Sequence, residues 1–343
     1  MKSILITGGA GFIGSNFVMY FLKKYPDYHI VNLDLLTYAG SLDNLKGAET
    51  FNNYTFIQGD ICDTRLVNEI FVKYNIEGVI HFAAESHVDN SITNPDVFVK
   101  TNINGTFNLL HTAYLCWFDK PYVTKHGKEN CIFHHISTDE VFGSLGESGY
   151  FTESTPYAPN SPYSASKASS DMLVRSYIHT YGLKAFITNC SNNYGPKQHN
   201  EKLIPTIIRN ALQGKTIPIY GDGKNVRDWL YVEDHCRGID MVFHSQCYGE
   251  SFNIGGNCER VNIDIARHVC VLLDEFIPKV NGESYQSQIT FVQDRAGHDR
   301  RYAIDSSKIT KVLGWKPQES FESGLKKTLQ FYIKKYESEN LWI

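Results

Sequence analysis

Long apolar runs are missing from this 343-residue chain. None reaches the length of a bilayer-spanning helix, so no membrane span is expected. The opening run Ile4-Leu5-Ile6 is too short for the apolar segment of a secretory signal. Basic charge is not in excess: 33 Lys and Arg stand against 37 Asp and Glu, a net charge of −4. That excludes a general basic face for nucleic acid and leaves room for a local basic pocket. The eight cysteines (62, 116, 131, 190, 236, 247, 258 and 270) include no Cys-x-x-Cys pair. Such scatter points to reduced thiols, no metal site and a cytoplasmic location. Internal repeats and low-complexity tracts are also absent. With 42% apolar and 20% charged residues, the chain is expected to be globular and soluble, with one large or two modest domains.

The first half alternates strand and helix signals. Ile4-Leu5-Ile6, His29 to Asp34, Tyr54 to Gln58, Gly78 to Phe82, Cys131 to Ile136 and Ala185 to Asn189 read as strands. Helical spacing fills residues 11–24, 64–74, 97–116 and 162–181, the last with Pro162 in its first turn. This rhythm predicts an α/β fold, a Rossmann-type doubly wound parallel sheet. After Asn189 the rhythm weakens, and Phe252 to Gly256 reads as one more strand. The expected division is a dinucleotide domain of residues 1–190 plus 235–260, with a smaller α/β substrate domain from 191–234 and 261–343.

Gly8-x-x-Gly11-Phe12-Ile13-Gly14 lies between the first strand and the first helix. Its glycines permit a tight turn and close approach of a pyrophosphate, which then meets the helix N-terminus. Asp34 closes the second strand. A carboxylate there accepts hydrogen bonds from ribose hydroxyls and repels a 2′-phosphate, favouring NAD over NADP. Asp60-Ile61 and Ala83-Ala84 extend the same strand-end edge, where ligands of open α/β sheets sit.

Thr138-Asp139-Glu140 stands where the strand Cys131 to Ile136 is expected to end. Tyr163-x-x-x-Lys167 follows on a helix. Positions i and i+4 share a helix face, and an ammonium beside a phenol lowers its pKa. Tyr20-x-x-x-Lys24 and Tyr220-x-x-x-Lys224 have the same spacing. The first lies late in a helix, away from the strand ends, and the second in a glycine turn. An Asp-Glu pair is usually a solvated loop. Beside a Tyr-Lys pair it answers a specific need. Removing water from a sugar takes one group for the proton next to a carbonyl and another to protonate the leaving hydroxyl.

These residues resemble the NDP-glucose 4,6-dehydratases, extended short-chain dehydrogenases/reductases, most of all those acting on dTDP-glucose. The likeness runs through Thr7 to Phe17, Ala83 to Asp89, Ser137 to Gly143, Ser161 to Ala168, Asn189 to Pro196, Glu201 to Pro205, Tyr220 to Trp229 and Gly297 to Tyr302. It implies a hydro-lyase with bound NAD. Tyr163 would take the C4 hydroxyl proton, Lys167 would hold the ribose and tune Tyr163, and Thr138 would bond the hexose O4. Glu140 would remove the C5 proton, Asp139 would protonate the departing C6 hydroxyl, and the hydride would return to C6. It also implies Thr37, Thr101 and Asn193 at the cofactor. For the nucleotide sugar it implies Ser86, Asn192, Lys202, Leu203, Pro218, Tyr220, Arg227, Asn262, Arg295 and His298. Arg227, Arg295 and Lys202 suit a diphosphate. The chain departs from the family pattern at Asn90, Phe142, Lys197 to Asn200 and Ala296, none of them a catalytic position.

Three readings remain open beside it: a UDP-sugar 4,6-dehydratase, an NDP-sugar 4-epimerase or decarboxylase, and an NAD-binding regulator without catalysis. Phe98, Ile103, Phe107, Leu109, Leu110, Tyr114, Leu115 and Trp117 spread around the helix beginning near Val97, and Met172, Leu173, Val174, Tyr177 and Ile178 around the one beginning at Pro162, more than one sheet face buries. A homodimer joined through those helices is therefore expected, as the resemblance also implies.

Overall fold

The computed structural model describes residues 2–340. Seven strands form one sheet: β1 (Lys2–Thr7), β2 (Tyr28–Asp34), β3 (Tyr54–Gln58), β4 (Ile76–His81), β5 (Ile132–Thr138), β6 (Ala185–Cys190) and β7 (Ser251–Ile254). Their order across the sheet is β7-β6-β5-β4-β1-β2-β3, all neighbours parallel. The order reverses at β1, which lies between β2 and β4. Such a reversal opens a crevice at the carboxyl ends of the strands.

Both faces of the sheet are covered. Helices α1 (Phe12–Lys24) and α4 (Val232–Phe243) bury Phe17, Phe21, Ile239 and Phe243 on one side. On the other, α2 (Thr106–Trp117) and α3 (Pro162–Tyr181) bury Leu109, Leu110, Trp117, Val174 and Tyr177. This is the Rossmann-type fold that the alternating sequence predicts. The start of α3 is written locally: the Ser161 hydroxyl accepts from the Ser164 amide, the Ser164 hydroxyl accepts from the Ser161 amide, and Pro162 sits in the first turn.

Two local differences from the sequence reading bear on function. Strand β5 continues through Ser137 and Thr138, which lie in register with Asn189 and Cys190 of β6. The helix expected over 97–116 is interrupted by a π turn, Val99–Gly105. Buried Asn102 accepts from the Glu85 amide at 2.8 Å and donates to the Ser166 hydroxyl at 2.8 Å. Gly105 meanwhile presses on Ile61, where a Cβ would lie 2.4 Å from a side-chain carbon. The wider turn meets both demands and turns Thr101 to the crevice.

A further core gathers Ile207, Ile208, Ile217, Leu272, Leu273, Leu325 and Leu329. It lies among the helices Leu203–Leu212, Asn262–Phe276 and Phe321–Ser338 and two small sheets. The strands Ile217–Tyr220 and Ile289–Val292 form one; Asn192–Tyr194, Val226–Tyr231 and Glu259–Val261 form the other. No helix among the described residues is long and apolar enough to cross a membrane.

Candidate active site

One cleft follows the carboxyl ends of β1, β2, β4, β5 and β6. Its wall includes Gly8, Gly11, Phe12, Ile13, Gly14, Asp34, Thr37, Asp60, Ile61, Ala83, Ala84, Thr101 and Asn193, all expected at a cofactor. The glycine turn is built for close backbone approach. Gly8 has φ +72, and a Cβ there would lie 2.5 Å from the Ala83 nitrogen. A Cβ on Gly14 would lie 2.3 Å from the Gly8 carbonyl oxygen. The N-terminus of α1 begins at Gly11, and no side chain caps it. Its amides and partial positive charge are free for a phosphate.

Asp34 is tied more closely to the protein than its sequence position indicated. Oδ2 accepts from the Ala10 amide at 2.8 Å, and Oδ1 accepts from the Leu36 amide at 2.8 Å. The carboxylate therefore clamps the glycine turn to the loop after β2. Each oxygen has a second lone pair for a ribose hydroxyl. These residues fit a dinucleotide with an unphosphorylated adenosine ribose.

Further along the cleft stand Thr138, Asp139, Glu140, Tyr163 and Lys167. Thr138 ends β5 and caps the short turn Asp139–Phe142, its hydroxyl accepting from the Glu140 amide at 3.3 Å. Adjacent carboxyl groups thus leave the turn into different surroundings. Asp139 is 2% exposed; its Oδ2 has no hydrogen-bond partner, and its Oδ1 accepts weakly from the Thr138 hydroxyl at 3.4 Å. Burial, then the Glu140 and Asp228 carboxylates, push its pKa well above the usual range. Glu140 is less buried. Burial raises its pKa too, but the Arg295, Lys202 and Arg227 cations oppose the rise. Two carboxyls with protonation states pushed apart are suited to serve as acid and base.

The redox pair differs from expectation in one respect. Lys167 makes no direct hydrogen bond to the Tyr163 phenol; its ammonium donates to the Ile136 carbonyl at 2.8 Å. Burial and the nearby Glu140 push the Tyr163 pKa well up, and a Thr138 hydrogen bond opposes this. Burial thus outweighs any lowering that Lys167 supplies. The rival pairs stay outside the cleft. Lys24 donates to the Tyr20 hydroxyl at 2.9 Å beside Asp240, and Tyr220 is 42% exposed.

The expected substrate residues divide. Ser86, Asn192 and Lys202 join Thr138 on the cleft wall. Lys202 donates to the Ser86 carbonyl at 3.0 Å. Tyr220 and Arg295 instead meet at Asp89, the Tyr220 hydroxyl donating to it at 3.3 Å and Arg295 lying 3.5 Å away, while His298 Nδ1 lies 2.6 Å from Asp294. The His298 ring stands edge-on to Tyr220 at 6.2 Å. Arg227 is buried behind the acid pair, donating to the Asp299 carbonyl at 2.9 Å and lying 4.2 Å from the centre of the Tyr302 ring. Leu203 and Asn262 begin helices, and Pro218 lies in a short strand; none of the three lines the cleft. Asn262 Oδ1 is buried without a partner.

Several cleft residues were not singled out from the sequence: Glu85, Gln198, His199 and Glu201. Glu201 receives the Tyr38 hydroxyl at 3.4 Å and lies 3.5 Å from His199 Nδ1 and 3.9 Å from His87 Nε2. The departures at Lys197 to Asn200 were the available signal, since His199 and Gln198 fall on the wall itself.

The family profile described as "GDP-mannose 4,6 dehydratase" matches residues 5–328. A dTDP-glucose 4,6-dehydratase of Salmonella typhimurium is 53% identical over 339 residues, covering 96% of this chain and 92% of that protein. One of Neisseria meningitidis is 52% identical, covering 97% and 94%. Among solved structures, a dTDP-glucose 4,6-dehydratase from Bacillus anthracis in complex with NAD has a TM-score of 0.86 at 44% identity, covering 99% and 100%. A UDP-glucose 4-epimerase from Thermotoga maritima, at 29% identity and TM-score 0.84 over 97% and 99%, shares the fold with a different chemistry. By profile, by whole-length identity and by structure, the chain belongs to the NDP-glucose 4,6-dehydratase family.

Proposed function

We propose that the chain is an NAD-dependent hydro-lyase that converts dTDP-glucose to dTDP-4-keto-6-deoxyglucose. The observation that carries the reading is the Asp139–Glu140 pair in one cleft with Tyr163 and Lys167: burial raises both carboxyls, Asp139 well up, while three cations oppose the rise of Glu140. Oxidation or epimerisation needs only a phenol and a hydride acceptor. Dehydration needs an additional acid and base.

The residues take their roles from where they stand. NAD, when bound, supplies a store for the hydride that leaves C4 and later returns to C6. Tyr163 receives the C4 hydroxyl proton, while Thr138 orients O4. Lys167, anchored on Ile136, presents its charge on the ribose side and favours the phenolate. The new C4 ketone acidifies the C5 proton, which Glu140 takes; when hydride returns to C6, Glu140, after exchange with solvent, gives a proton back to C5. Asp139, kept protonated by its burial, gives its proton to the departing C6 hydroxyl, which leaves as water. Lys202, Arg227 and Arg295 put positive charge beside the acid pair, suited to a diphosphate.

The second core, with residues 191–234 and 261–343, forms the nucleotide-sugar domain against a dinucleotide domain of 1–190 and 235–260 in this reading, Met1 and 341–343 lying outside the described residues. Phe107, Leu115 and Met172 are 46%, 49% and 51% exposed on α2 and α3 and would be covered in a homodimer. All eight cysteines are free, in keeping with a cytoplasmic location. Incubation with a mixture of dTDP- and UDP-glucose, read by mass and by proton NMR, tests the function. A dTDP-sugar lighter by one water supports it; an isomer of unchanged mass means an epimerase, and no reaction means a regulator.

A further inference from the structure

Beneath the cleft, α3 grips three consecutive residues of β5. Lys167 donates to the Ile136 carbonyl at 2.8 Å. Four residues on, Asp171 is fully buried, and its Oδ2 accepts from the Ser137 hydroxyl at 2.8 Å and the Tyr157 hydroxyl at 2.9 Å. Its Oδ1 lies 3.2 Å from His135 Nε2, in poor alignment for a hydrogen bond, and has no other donor. Next along the chain come Thr138, which ends the strand, and Asp139, which opens the turn after it. We propose that Asp171 is a positioning residue that provides the countercharge for Lys167 and locks the redox helix to the strand end bearing the acid pair.

The chemistry of the contacts supports this. Two hydroxyls converge on one oxygen, an arrangement that suits a carboxylate. Side chains at i and i+4 share a helix face, with Cβ atoms about 5–6 Å apart, so the two charges lie on one face of α3, neighbours without a direct ion pair. Burial lowers the Lys167 pKa, and Asp171 is the first influence opposing that fall. The other titratable groups facing this pair are His135 on β5, His81 on β4, Cys190 on β6 and Tyr163 on α3. His135 is pushed down to about 4, chiefly by burial, and is neutral in the working range. Cys190 is pushed up by burial and stays a thiol. Arg175 lies 5.7 Å from the centre of the Tyr157 ring and donates to the Ser251 hydroxyl at 3.4 Å. The inference rests on the Tyr163–Lys167 reading of the redox step.

The test is the pH profile of hydride transfer, followed as NADH formation in a single turnover of the NAD-loaded enzyme. Asp171→Asn keeps the shape and removes the charge. The Lys167 ammonium then loses its proton more readily, so the alkaline limb moves to lower pH by on the order of one unit. Tyr157→Phe keeps the carboxylate and removes one of its donors. Its charge is then less dispersed, and the limb moves to higher pH. Opposite shifts support the proposal. A limb that stays in place in both variants, with the rate reduced equally at every pH, makes Asp171 a structural residue only and overturns it. Should Asp171→Asn not fold, Tyr157→Phe decides alone: an upward shift supports and an unmoved limb overturns. Tyr163→Phe separates the two readings, since NADH formation in that variant sinks the redox assignment rather than the Asp171 proposal.

Discussion

Asp139→Asn removes one proton and almost no volume, and it acts on stability and turnover in opposite directions. In the folded chain Asp139 is buried, Oδ2 is unpaired, and neighbouring carboxylates disfavour its charge. In the unfolded chain it ionises near the ordinary value of 3.8. A raised folded pKa means that the folded state binds more protons above that value. The stabilising effect of the protonated group is complete below 3.8 and is lost as pH climbs towards the folded value. Across that window each pH unit takes away about 1.4 kcal/mol of stability. Asparagine does not titrate. The melting temperature of the variant relative to wild type should therefore rise as pH goes from about 4.5 to about 6.5. Glu140→Gln gains less, because Arg295, Lys202 and Arg227 lose their counter-ion. In turnover, Asp139→Asn loses the acid that releases water, a loss of about 10²–10⁴-fold. Hydride transfer from C4 is spared, so bound NADH rises and persists. Calorimetry across the pH series and a single-turnover absorbance trace are the assays. A variant no more stabilised at the upper pH than at the lower refutes the protonated, buried acid; absence of NADH refutes the division of labour.

Tyr163→Phe should abolish the first oxidation, so that no NADH absorbance appears although the melting curve is that of a folded protein. Asp34→Ala should weaken NAD by roughly tenfold or more, since it releases two backbone amides of the cofactor loops as well as the ribose contact. Titration with NAD and NADP should show the preference relaxed; an unchanged ratio argues against Asp34 at the ribose. Light scattering at micromolar concentration should give twice the mass of one chain, and Leu115→Glu should shift it towards one chain; full activity at a single-chain mass rules out the dimer as the working unit.

The parts of this site that follow from strand ends were legible in the sequence. A glycine turn after a strand, an acid at the end of the next, and Thr138 at the end of β5 occupy positions that the parallel topology forces to one edge. The same logic separated Tyr163 from Tyr20 and Tyr220. Contacts made by tertiary packing were not legible. The anchoring of Lys167 on the Ile136 carbonyl depends on how α3 lies on β5, and the rise of the Tyr163 pKa on how deeply that packing buries the phenol. The π turn at Val99–Gly105 arises from Asn102 and Gly105 meeting different neighbours, which no helical periodicity records. The split of the substrate residues between the cleft and the Asp89 cluster reflects the way the second core folds back over the segment after β4. Spacing along the chain carries no trace of that.

The central claim is that one hydride leaves C4 and returns to C6 of the same sugar around a dehydration by Asp139 and Glu140. Reaction of dTDP-glucose carrying deuterium at C4, analysed by NMR of the product, tests it most directly. The account predicts deuterium in the C6 methyl group of a 4-keto sugar and a solvent-derived proton at C5. Deuterium retained at C4 of an isomeric hexose, or lost to solvent, contradicts it.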